Sequence, residues 1–383
     1  QYNDINMKFI DREIMPAVLK KMQPNKVVVI SGARRTGKTI LLKEIIEAVG
    51  QPYILLNGED FNTGLLLSTK SVENYRQLIG SGKSLFIDEA QKVTDIGNIL
   101  KLMVDELPGV KIVVTGSSAF DPGNLTGEPL TGRKHTFSLF PLSEREFRQT
   151  ESITDQPDAL KQRLVFGCYP ELINMPDVSD RKDYLVDLVN SYLLKDILVY
   201  EGIRHSGKIF NLLRLLAWQT GNEVSYNELG KSLSLSKNTV EKYLDLLSKV
   251  FVIHKLEGFS RNLRKEVTKS PKWYFYDNGI RNALIASFQP VEMRNDVGQL
   301  WENYMISERI KFQHFHHEKT NNFFWRTYDR QEVDWVEERN GNIHGYELKW
   351  SENRTKPPVA WRNAYPEAGF TVINKQNYSK WIS

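Results

Sequence analysis

The residue pattern with the most specific chemistry is a short glycine-bearing run near the start of the chain. Residues 32–39 read GARRTGKT, which fits the pattern G-x-x-x-x-G-K-[ST] of a phosphate-binding loop. The run follows an apolar stretch, residues 27–30, and opens a helical stretch, residues 40–49, as such a loop requires. Backbone N–H groups at a helix N-terminus then face an anion. The residues expected to bind a nucleoside triphosphate are Gly32, Ala33, Arg34, Arg35, Thr36, Gly37, Lys38 and Thr39.

Two residues of this loop and two acids further along have distinct predicted roles. Lys38 should reach the β- and γ-phosphates, and the Thr39 hydroxyl should be a ligand of Mg²⁺. A second apolar run, residues 84–87, ends in Asp88 and Glu89. Buried parallel strands read as continuous apolar runs, and ligand sites lie beyond their carboxyl ends. Asp88 is therefore placed to hold Mg²⁺, and Glu89 to orient or deprotonate an attacking water.

Hydroxyl and guanidinium groups could complete the same site. A third apolar run, residues 111–114, leads into small polar residues that could contact the γ-phosphate; Ser117 is the first choice and Thr115 the second. Arg133 is a candidate for stabilising charge on the transferred phosphoryl group, in its own subunit or in a neighbour. The alternative for Arg133 is an ordinary surface or salt-bridged arginine.

Carboxylates near the C-terminus form a second candidate site. Glu302 falls in a helical stretch, whereas Asp334 and Glu347 fall in strand-like runs. Lys349 would share a strand face with Glu347, because alternate residues of a strand point the same way. Two or three such carboxylates can bind Mg²⁺ through oxygen ligands, and Lys349 could steady an attacking hydroxide or phosphate charge. The alternative is a scaffold on which these charges form ion pairs.

A helical segment between these two sites has the pattern of a nucleic-acid-binding module. Residues 225–228 read SYNE, a capping box that opens a short helix, and Ser236 can cap the next, residues 237–251. In a helix-turn-helix, such a second helix presents its N-terminal residues to bases, and basic side chains meet phosphates. The alternative is a module that only packs between domains. The residues predicted to contact double-stranded DNA are Lys237, Asn238, Lys242, Arg261, Arg264 and Lys265.

Elements that alternate along the first part of the chain must position the phosphate-binding loop. Strand-like runs at 26–30, 53–56, 84–87 and 111–114 are separated by helical stretches, which predicts a parallel sheet with helices on both faces. Four regions differ in pattern: 1–150 is α/β, 151–205 is helical, 206–278 has three short helices and a hairpin, and 279–383 has a long helix followed by strands.

Composition limits the class of protein. The 383 residues are too many for one ordinary core, and 40% hydrophobic and 26% charged residues are globular values. A net charge of +4 is compatible with nucleic acid without requiring it. Cys168 is the only cysteine, which rules out an intramolecular disulfide and favours a reducing compartment. With no apolar run long enough for a membrane span, we expect a cytoplasmic protein without a membrane partner.

Taken together, these motifs resemble the AAA-superfamily ATPases of bacteria and archaea that carry a C-terminal domain of unknown function. The resemblance covers nearly the whole chain. It implies ATP as the nucleotide, a three-layer αβα ATPase core at 1–150 with a helical lid at 151–205, a winged helix at 206–278 and a restriction-endonuclease-like α/β domain at 279–383. The motifs that carry it, besides residues 32–39, lie at 86–91, 115–118, 130–133, 140–147, 167–171, 192–197, 259–265 and 273–279.

The resemblance also bears on the C-terminal carboxylates. Val333 and Asp334 stand where a restriction endonuclease has Pro-Asp, and Glu302 resembles the helical acid that some of these enzymes add. It implies a metal site of Glu302, Asp334 and Glu347 with Lys349 beside it. The valine departs from the family pattern, although the acid is the chemically active part.

Three functions remain open on the sequence. The first is an ATP-driven motor or switch acting on DNA, with metal-dependent phosphodiester cleavage by Asp334, Glu347 and Lys349. The second is a regulatory or signalling switch with a protein partner and a catalytically silent C-terminal binding module. The third is a regulator that binds DNA without cutting it. The sequence leaves the oligomeric state open between monomer, dimer and ring.

Overall fold

The computed structural model of the protein describes residues 9–117, 130–152, 154–193, 206–261, 270–351 and 356–382. The chain divides into two compact units, one of residues 11–140 and the other of residues 1–10 together with 141–383. Arg264 and Lys265, which the sequence predicted to contact DNA, lie outside the described residues. Within the described ranges, no helix has the length and apolar character needed to cross a membrane.

A five-stranded sheet organises the unit 11–140. All of its strand pairs are parallel, in the order β2-β3-β4-β1-β5. This confirms the parallel sheet predicted from the apolar runs and adds a fifth strand. The strands are β1 Val27–Gly32, β2 Tyr53–Asn57, β3 Ser84–Asp88, β4 Lys111–Ser117 and β5 Lys134–Ser138.

The helices of this unit cover a sheet in which β1, an inner strand between β4 and β5, is buried on both faces. Strand β1 is buried at every position, as expected for a parallel strand with helices on either side. Val27 and Val29 pack on one face with Ile99 and Met103. The helices are α1 Met15–Lys21, α2 Lys38–Val49, α3 Phe61–Ser68, α4 Val72–Ile79 and α5 Ile96–Glu106, with a short 3₁₀ turn at Ala90–Lys92.

In the second unit, residues 141–383, helices precede and surround another sheet. Ser143 and Glu146 form a capping box at the first helix, and Ser225 and Ser236 cap the two helices at which the sequence placed them. The helices are α6 Glu144–Phe147, α7 Gln156–Phe166, α8 Val178–Asp187, α9 Ser206–Trp218, α10 Tyr226–Leu233, α11 Lys237–Lys249, α12 Asn278–Leu284, α13 Val297–Phe315, α14 Val359–Ala364 and α15 Tyr378–Trp381.

The sheet of this unit has six strands in the order β11-β10-β9-β8-β6-β7. The hairpin β6–β7 follows the three helices α9 to α11, and its strand β6 pairs in parallel with β8 through Glu257 and Gly258. Strands that the sequence assigned to a wing therefore continue the sheet of the C-terminal strands. The strands are β6 Ile253–Gly258, β7 Lys272–Phe275, β8 Asn321–Arg326, β9 Glu332–Arg339, β10 Asn342–Leu348 and β11 Gly369–Ile373.

Polar contacts fix the long helix α13 against strand β7. The Asn303 side chain accepts from the backbone N–H of Phe275 at 2.7 Å and donates to its carbonyl at 3.0 Å. The Ser307 hydroxyl donates to the carbonyl of Tyr276 at 2.7 Å. Because both hydrogen-bonding groups of Phe275 are held by one buried side chain, the helix and the strand keep a fixed register.

Candidate functional site

The phosphate-binding loop connects β1 to α2 and closes around Lys38. The ammonium of Lys38 is buried and donates to the carbonyls of Gly32 at 3.1 Å and Ala33 at 3.0 Å. The Thr36 hydroxyl donates to the Ala33 carbonyl at 2.8 Å. Gly37 has φ 94°, a left-handed conformation that favours glycine and turns the chain into α2. The Lys38 ammonium therefore lies against the carbonyls of the first two residues of the loop.

Gly32 and the two loop arginines differ in their surroundings. A Cβ on Gly32 would lie 2.2 Å from the carbonyl oxygen of Leu139, so the close approach of the chain after β5 requires glycine there. Arg34 is half-buried and Arg35 is exposed.

Arg12 holds the loop from a part of the chain in which the sequence indicated no function. Its buried guanidinium donates to the carbonyl of Thr36 at 2.7 Å and to the carbonyl of Phe140 at 2.8 Å. The two hydrogen bonds connect the turn of the phosphate-binding loop to the segment that follows β5. Backbone carbonyls have no signature in residue type, which is why the sequence analysis missed this contact.

The predicted magnesium ligands lie side by side. The Thr39 hydroxyl, in the first turn of α2, donates to Oδ2 of Asp88 at 2.8 Å. Asp88 is buried at the carboxyl end of β3. A hydroxyl and a carboxylate oxygen in contact are ligands of the kind that Mg²⁺ takes in proteins. Thr39 and Asp88 therefore fit the ion that the sequence predicted.

Glu89 is fixed by its neighbours on three sides. Its backbone is left-handed, with φ 50°, and its N–H donates to Oδ1 of Asp88 at 3.2 Å and to the Thr115 hydroxyl at 3.1 Å. The side-chain amide of Gln91 donates to Oε2 of Glu89 at 2.5 Å. The Oε1 of Gln91 is buried and has no hydrogen-bond partner among the described residues. The sequence placed Gln91 in the motif at 86–91 but assigned it no role of its own.

The second-choice hydroxyl, Thr115, is the one that contacts the acidic strand end. Thr115 is fully buried, and its hydroxyl donates to Oδ1 of Asp88. Ser117 is buried at the end of β4, where its Cα pairs with that of Gly32. Contact with the acids thus favours Thr115, whereas Ser117 lies beside the start of the loop. Which hydroxyl acts on a phosphate stays a prediction.

Arg133 has an ion-pair partner in its own unit. Its Nε donates to Oδ1 of Asp105 at 2.7 Å, with 41% of the arginine side chain exposed. Exposed pairs of this kind contribute about 0–1 kcal/mol. The geometry is that of the alternative left open by the sequence, a salt-bridged surface arginine, and a role on a neighbouring subunit's nucleotide stays a prediction.

The C-terminal carboxylates come together in the second unit. Strands β9 and β10 are antiparallel with Tyr346 opposite Trp335, so Asp334 and Glu347 are opposite each other one position further on. Cross-strand neighbours have Cβ atoms about 5 Å apart. Oδ2 of Asp334 accepts from the backbone N–H of Leu348 at 2.8 Å. Oε1 of Glu347 pairs with Lys349 at 2.6 Å, while Oε2 of Glu347 is buried and has no hydrogen-bond partner in the described chain.

A lysine of the hairpin, a segment from which the sequence predicted contacts with phosphates, lies among these acids. Lys272, the first residue of β7, is 2% exposed; its Nζ donates to Oε1 of Glu332 and lies 3.6 Å from Oε1 of Glu302. Tyr274, two residues along the same strand, donates its hydroxyl to the same Glu302 oxygen at 2.6 Å. We call Lys272, Tyr274, Glu302, Glu332, Asp334, Glu347 and Lys349 the C-terminal cluster.

Burial dominates the electrostatics of this cluster. Burial, followed by the neighbouring Asp334 charge, raises the pKa of Glu347 to about 7. Burial also raises the pKa of Glu302 to about 7, partly opposed by Lys272. Burial works to lower the pKa of Lys272, but Glu302, Glu332 and Asp334 outweigh it and raise that pKa. The ammonium therefore stays charged, whereas burial favours the protonated forms of Glu302 and Glu347.

The described part of the chain contains no group of three or more His, Cys, Asp and Glu side chains arranged to hold a metal ion. In the cluster, the carboxylates face ammonium groups: Lys272 contacts Glu332 and Glu302, and Lys349 contacts Glu347. The predicted metal ligands Glu302, Asp334 and Glu347 are close together but do not fit a divalent ion in this arrangement.

The residues predicted to contact DNA are only partly described. Lys237, Asn238 and Lys242 are exposed near the start of α11, whose Ser236 cap accepts from the N–H of Thr239. The guanidinium of Arg261 lies over the ring of Tyr365 at 5.6 Å from its centre. The helix thus presents two lysines and an amide to solvent in its first two turns.

Comparisons with known proteins give the class of the first unit. Residues 24–148 match the family model described as AAA domain. Residues 157–290 and 297–378 match two models described as domains of unknown function, DUF8612 and DUF4143. The AAA match, together with the loop around Lys38, supports an AAA-type P-loop ATPase. The restriction-endonuclease-like fold and the winged helix stay predictions, because neither matched model carries an assigned activity.

Relatives of the chain extend over most of its length. An uncharacterized protein of Mycobacterium tuberculosis is 25% identical over 364 residues, covering 94% of this chain and 77% of the relative. An uncharacterized protein of Haemophilus influenzae is 28% identical over 288 residues, covering 68% of this chain and 69% of the relative. Among solved structures, the RuvB Holliday junction branch migration motor of Thermotoga maritima is 17% identical with a TM-score of 0.33, covering 74% of this chain and 97% of that one. A TM-score of 0.33 is too low to support a conclusion about this chain.

Proposed function

We propose that the chain binds Mg²⁺ and ATP at the loop around Lys38 and hydrolyses the γ-phosphate. The observation that carries this proposal is the contact between the Thr39 hydroxyl and the Asp88 carboxylate, 2.8 Å apart at the foot of the phosphate-binding loop. The contact joins the two motifs that were recognised separately in the sequence. When bound there, Mg²⁺ neutralises charge on the phosphate oxygens.

Each residue of the site has a role in this reaction. Lys38 and the loop N–H groups bind the phosphates, and Thr39 and Asp88 hold the ion. Glu89 takes a proton from the attacking water as the oxygen of that water bonds to the γ-phosphorus and the bond to the β,γ-bridging oxygen breaks, which releases ADP and phosphate. Gln91 positions Glu89 through its 2.5 Å hydrogen bond.

The function that we propose for this hydrolysis is a DNA-associated motor or switch. Support comes from α11, where Lys237, Asn238 and Lys242 are exposed at the end that a recognition helix presents to DNA. Arg261, Arg264 and Lys265 would add phosphate contacts after β6. Phosphodiester cleavage by Asp334, Glu347 and Lys349 stays a prediction, as do homo-oligomerisation and action of Arg133 on a neighbouring subunit.

A second candidate function is favoured by one observation in the C-terminal cluster. Lys272 is buried and pairs with Glu302, one of the three carboxylates that a metal-dependent nuclease would use, and with Glu332. A catalytically silent C-terminal domain fits an ATP-dependent regulatory or signalling switch whose partner is a protein.

Turnover of ATP, measured with and without double- and single-stranded DNA, tests these proposals. Lys38→Ala should abolish turnover, and Glu89→Gln should retain ATP binding while blocking hydrolysis. Unchanged turnover in Glu89→Gln would show that the base is misassigned.

Stimulation by DNA separates the two candidate functions. We expect it to decline steeply with salt, because binding to phosphates releases counterions and that release becomes less favourable as the salt concentration rises. We also expect it to be lost in Lys237→Ala/Lys242→Ala. Lys249→Ala is the matched control, since Lys249 is exposed at the other end of the same helix. Hydrolysis that ignores DNA at every salt concentration would favour the protein switch.

A further inference from the structure

We propose that the Lys272 ammonium takes the place of a divalent metal ion in the C-terminal cluster, and that the cluster holds strand β7 against strand β9 and helix α13. The carboxylates would thus be structural in this chain. This inference is independent of ATP hydrolysis in the other unit.

The position of Lys272 is the first step of the argument. Its side chain is 3% exposed and reaches Glu332 at the start of β9 and Glu302 in α13. The Lys272 ammonium also lies over the Phe324 ring, with Nζ 5.3 Å from the ring centre. A buried ammonium must be paired or it is strongly unfavourable, so the carboxylates around it are the reason that it can be buried.

Fixed neighbours leave Lys272 little freedom to withdraw. Tyr274, on the same face of β7, donates to Glu302, and Phe275 is bonded through both backbone groups to Asn303 of α13. Arg326 lies 3.6 Å from Glu332 on the other side of that carboxylate. Glu302 of α13 and Glu332 of β9 are therefore already paired with side chains of β7 and β8.

One carboxylate oxygen of the cluster has neither Lys272 nor another described group as a hydrogen-bond partner. Oε2 of Glu347 is buried without a hydrogen-bond partner among the described residues, opposite Asp334. A buried carboxylate oxygen of this kind is unfavourable unless a cation or a proton meets it. Removal of the Lys272 charge should therefore let a divalent ion bind between Asp334, Glu302 and Glu347, because affinity for such ions follows the number of available carboxylate charges.

The test is Mn²⁺ binding to the full chain without nucleotide, followed by the electron paramagnetic resonance signal of free Mn²⁺. Binding that Asp334→Asn removes is assigned to the cluster, since the asparagine keeps an oxygen to accept the Leu348 N–H. We expect the wild type and Asp334→Asn to give the same isotherm. Lys272→Met should gain one Mn²⁺ per chain, with an apparent Kd at least about tenfold below the wild type, and Lys272→Met/Asp334→Asn should lose that ion.

Two further variants identify the charge responsible. Lys272→Arg keeps a cation in place and should gain no Mn²⁺. Lys349→Met removes the other lysine of the cluster, which is 40% exposed, and should also gain none because Lys272 remains. If Lys349→Met opened the site and Lys272→Met did not, Lys349 would be the resident cation and the proposal would be wrong.

Two other results would overturn the proposal. A wild-type Mn²⁺ site that disappears in Asp334→Asn would mean that Lys272 and a metal coexist, as they would in a working nuclease. A folded Lys272→Met that gains no ion would mean that another feature excludes the metal. Should Lys272→Met fail to fold, the comparison of wild type with Asp334→Asn still decides whether the wild-type cluster binds a metal ion.

Discussion

Arg12 should control both the stability of the ATPase unit and its affinity for ATP. The guanidinium satisfies two carbonyls, at 2.7 Å from Thr36 and 2.8 Å from Phe140, and the residue is 6% exposed. A hydrogen bond from a charged donor contributes roughly 1.5–3 kcal/mol, and a buried carbonyl left without a partner is costly. Taking the lower figure for each bond, Arg12→Met should destabilise the unit by about 3 kcal/mol.

This loss should appear in two measurements. A destabilisation of about 3 kcal/mol corresponds to a Tm lower by roughly 10 °C for a unit of this size, which calorimetry can detect. If about 1.4 kcal/mol of it falls on the loop conformation that binds phosphate, the Kd for ATP rises about tenfold. Arg12→Lys should recover only part of either effect, because an ammonium lacks the planar fork that reaches both carbonyls.

Arg76→Met is the control for loss of an arginine in the same unit. Its side chain is 56% exposed and lies 3.8 Å from Glu73, so the substitution should change stability by less than about 0.5 kcal/mol. A Tm for Arg12→Met equal to that of Arg76→Met would refute the reasoning. A lowered Tm with unchanged ATP affinity would show that Arg12 supports the unit without shaping the loop.

Gln91 gives one prediction for turnover, the hydroxyls of Thr115 and Ser117 give a second, and His254 gives one for stability. Gln91→Ala should lower kcat about tenfold at unchanged KM, and it should cause no further loss when it is added to the Glu89→Gln variant. Equal losses of kcat in the wild type and in Glu89→Gln would contradict a role of Gln91 through Glu89. In the same assay Thr115→Val should lower kcat more than Ser117→Ala, and the reverse order would restore Ser117 as the first choice. Burial lowers the pKa of His254 from 6.5 to about 3, so the unfolded chain takes the proton first as pH falls. The free energy of unfolding therefore decreases as the pH falls below about 6.5, by up to ~1.4 kcal/mol per pH unit. His254→Phe should reduce that decrease when unfolding is measured from pH 7.5 to 4.5. Parallel curves of unfolding free energy against pH for the wild type and the variant would contradict the prediction.

Local patterns predicted the phosphate-binding unit well. The run at residues 26–30 became β1 Val27–Gly32, and that at 84–87 became β3 Ser84–Asp88. Both strands are buried throughout, so their apolar runs carry the signal. Strand β5 went unpredicted because it reads KHTFS and only Phe137 of it is buried, which leaves no apolar run to recognise.

Contacts between distant parts of the chain were not predictable in the same way. Arg12 binds carbonyls that lie 24 and 128 residues away, and any residue type supplies a carbonyl. Strand β6 pairs with β8 through Glu257 and Gly258, across the whole of α12 and α13. The sequence showed a hairpin and a set of acids, but Lys272 meets Glu302 and Glu332 only through contacts between segments that are distant in the sequence.

Two aspartates in strands, Asp88 and Asp334, illustrate how similar sequence signals lead to different chemistry. Asp88 is met by the hydroxyls of Thr39 and Thr115, which are neutral and can share its oxygens with a bound ion. Asp334 is met by a backbone N–H and lies in a cluster that already contains the Lys272 ammonium. A neutral donor leaves the negative charge of the carboxylate available to a divalent ion, whereas a buried ammonium neutralises it permanently. The charge of the groups that contact each carboxylate, more than the presence of the acid, therefore decides which of the two aspartates can bind a metal ion.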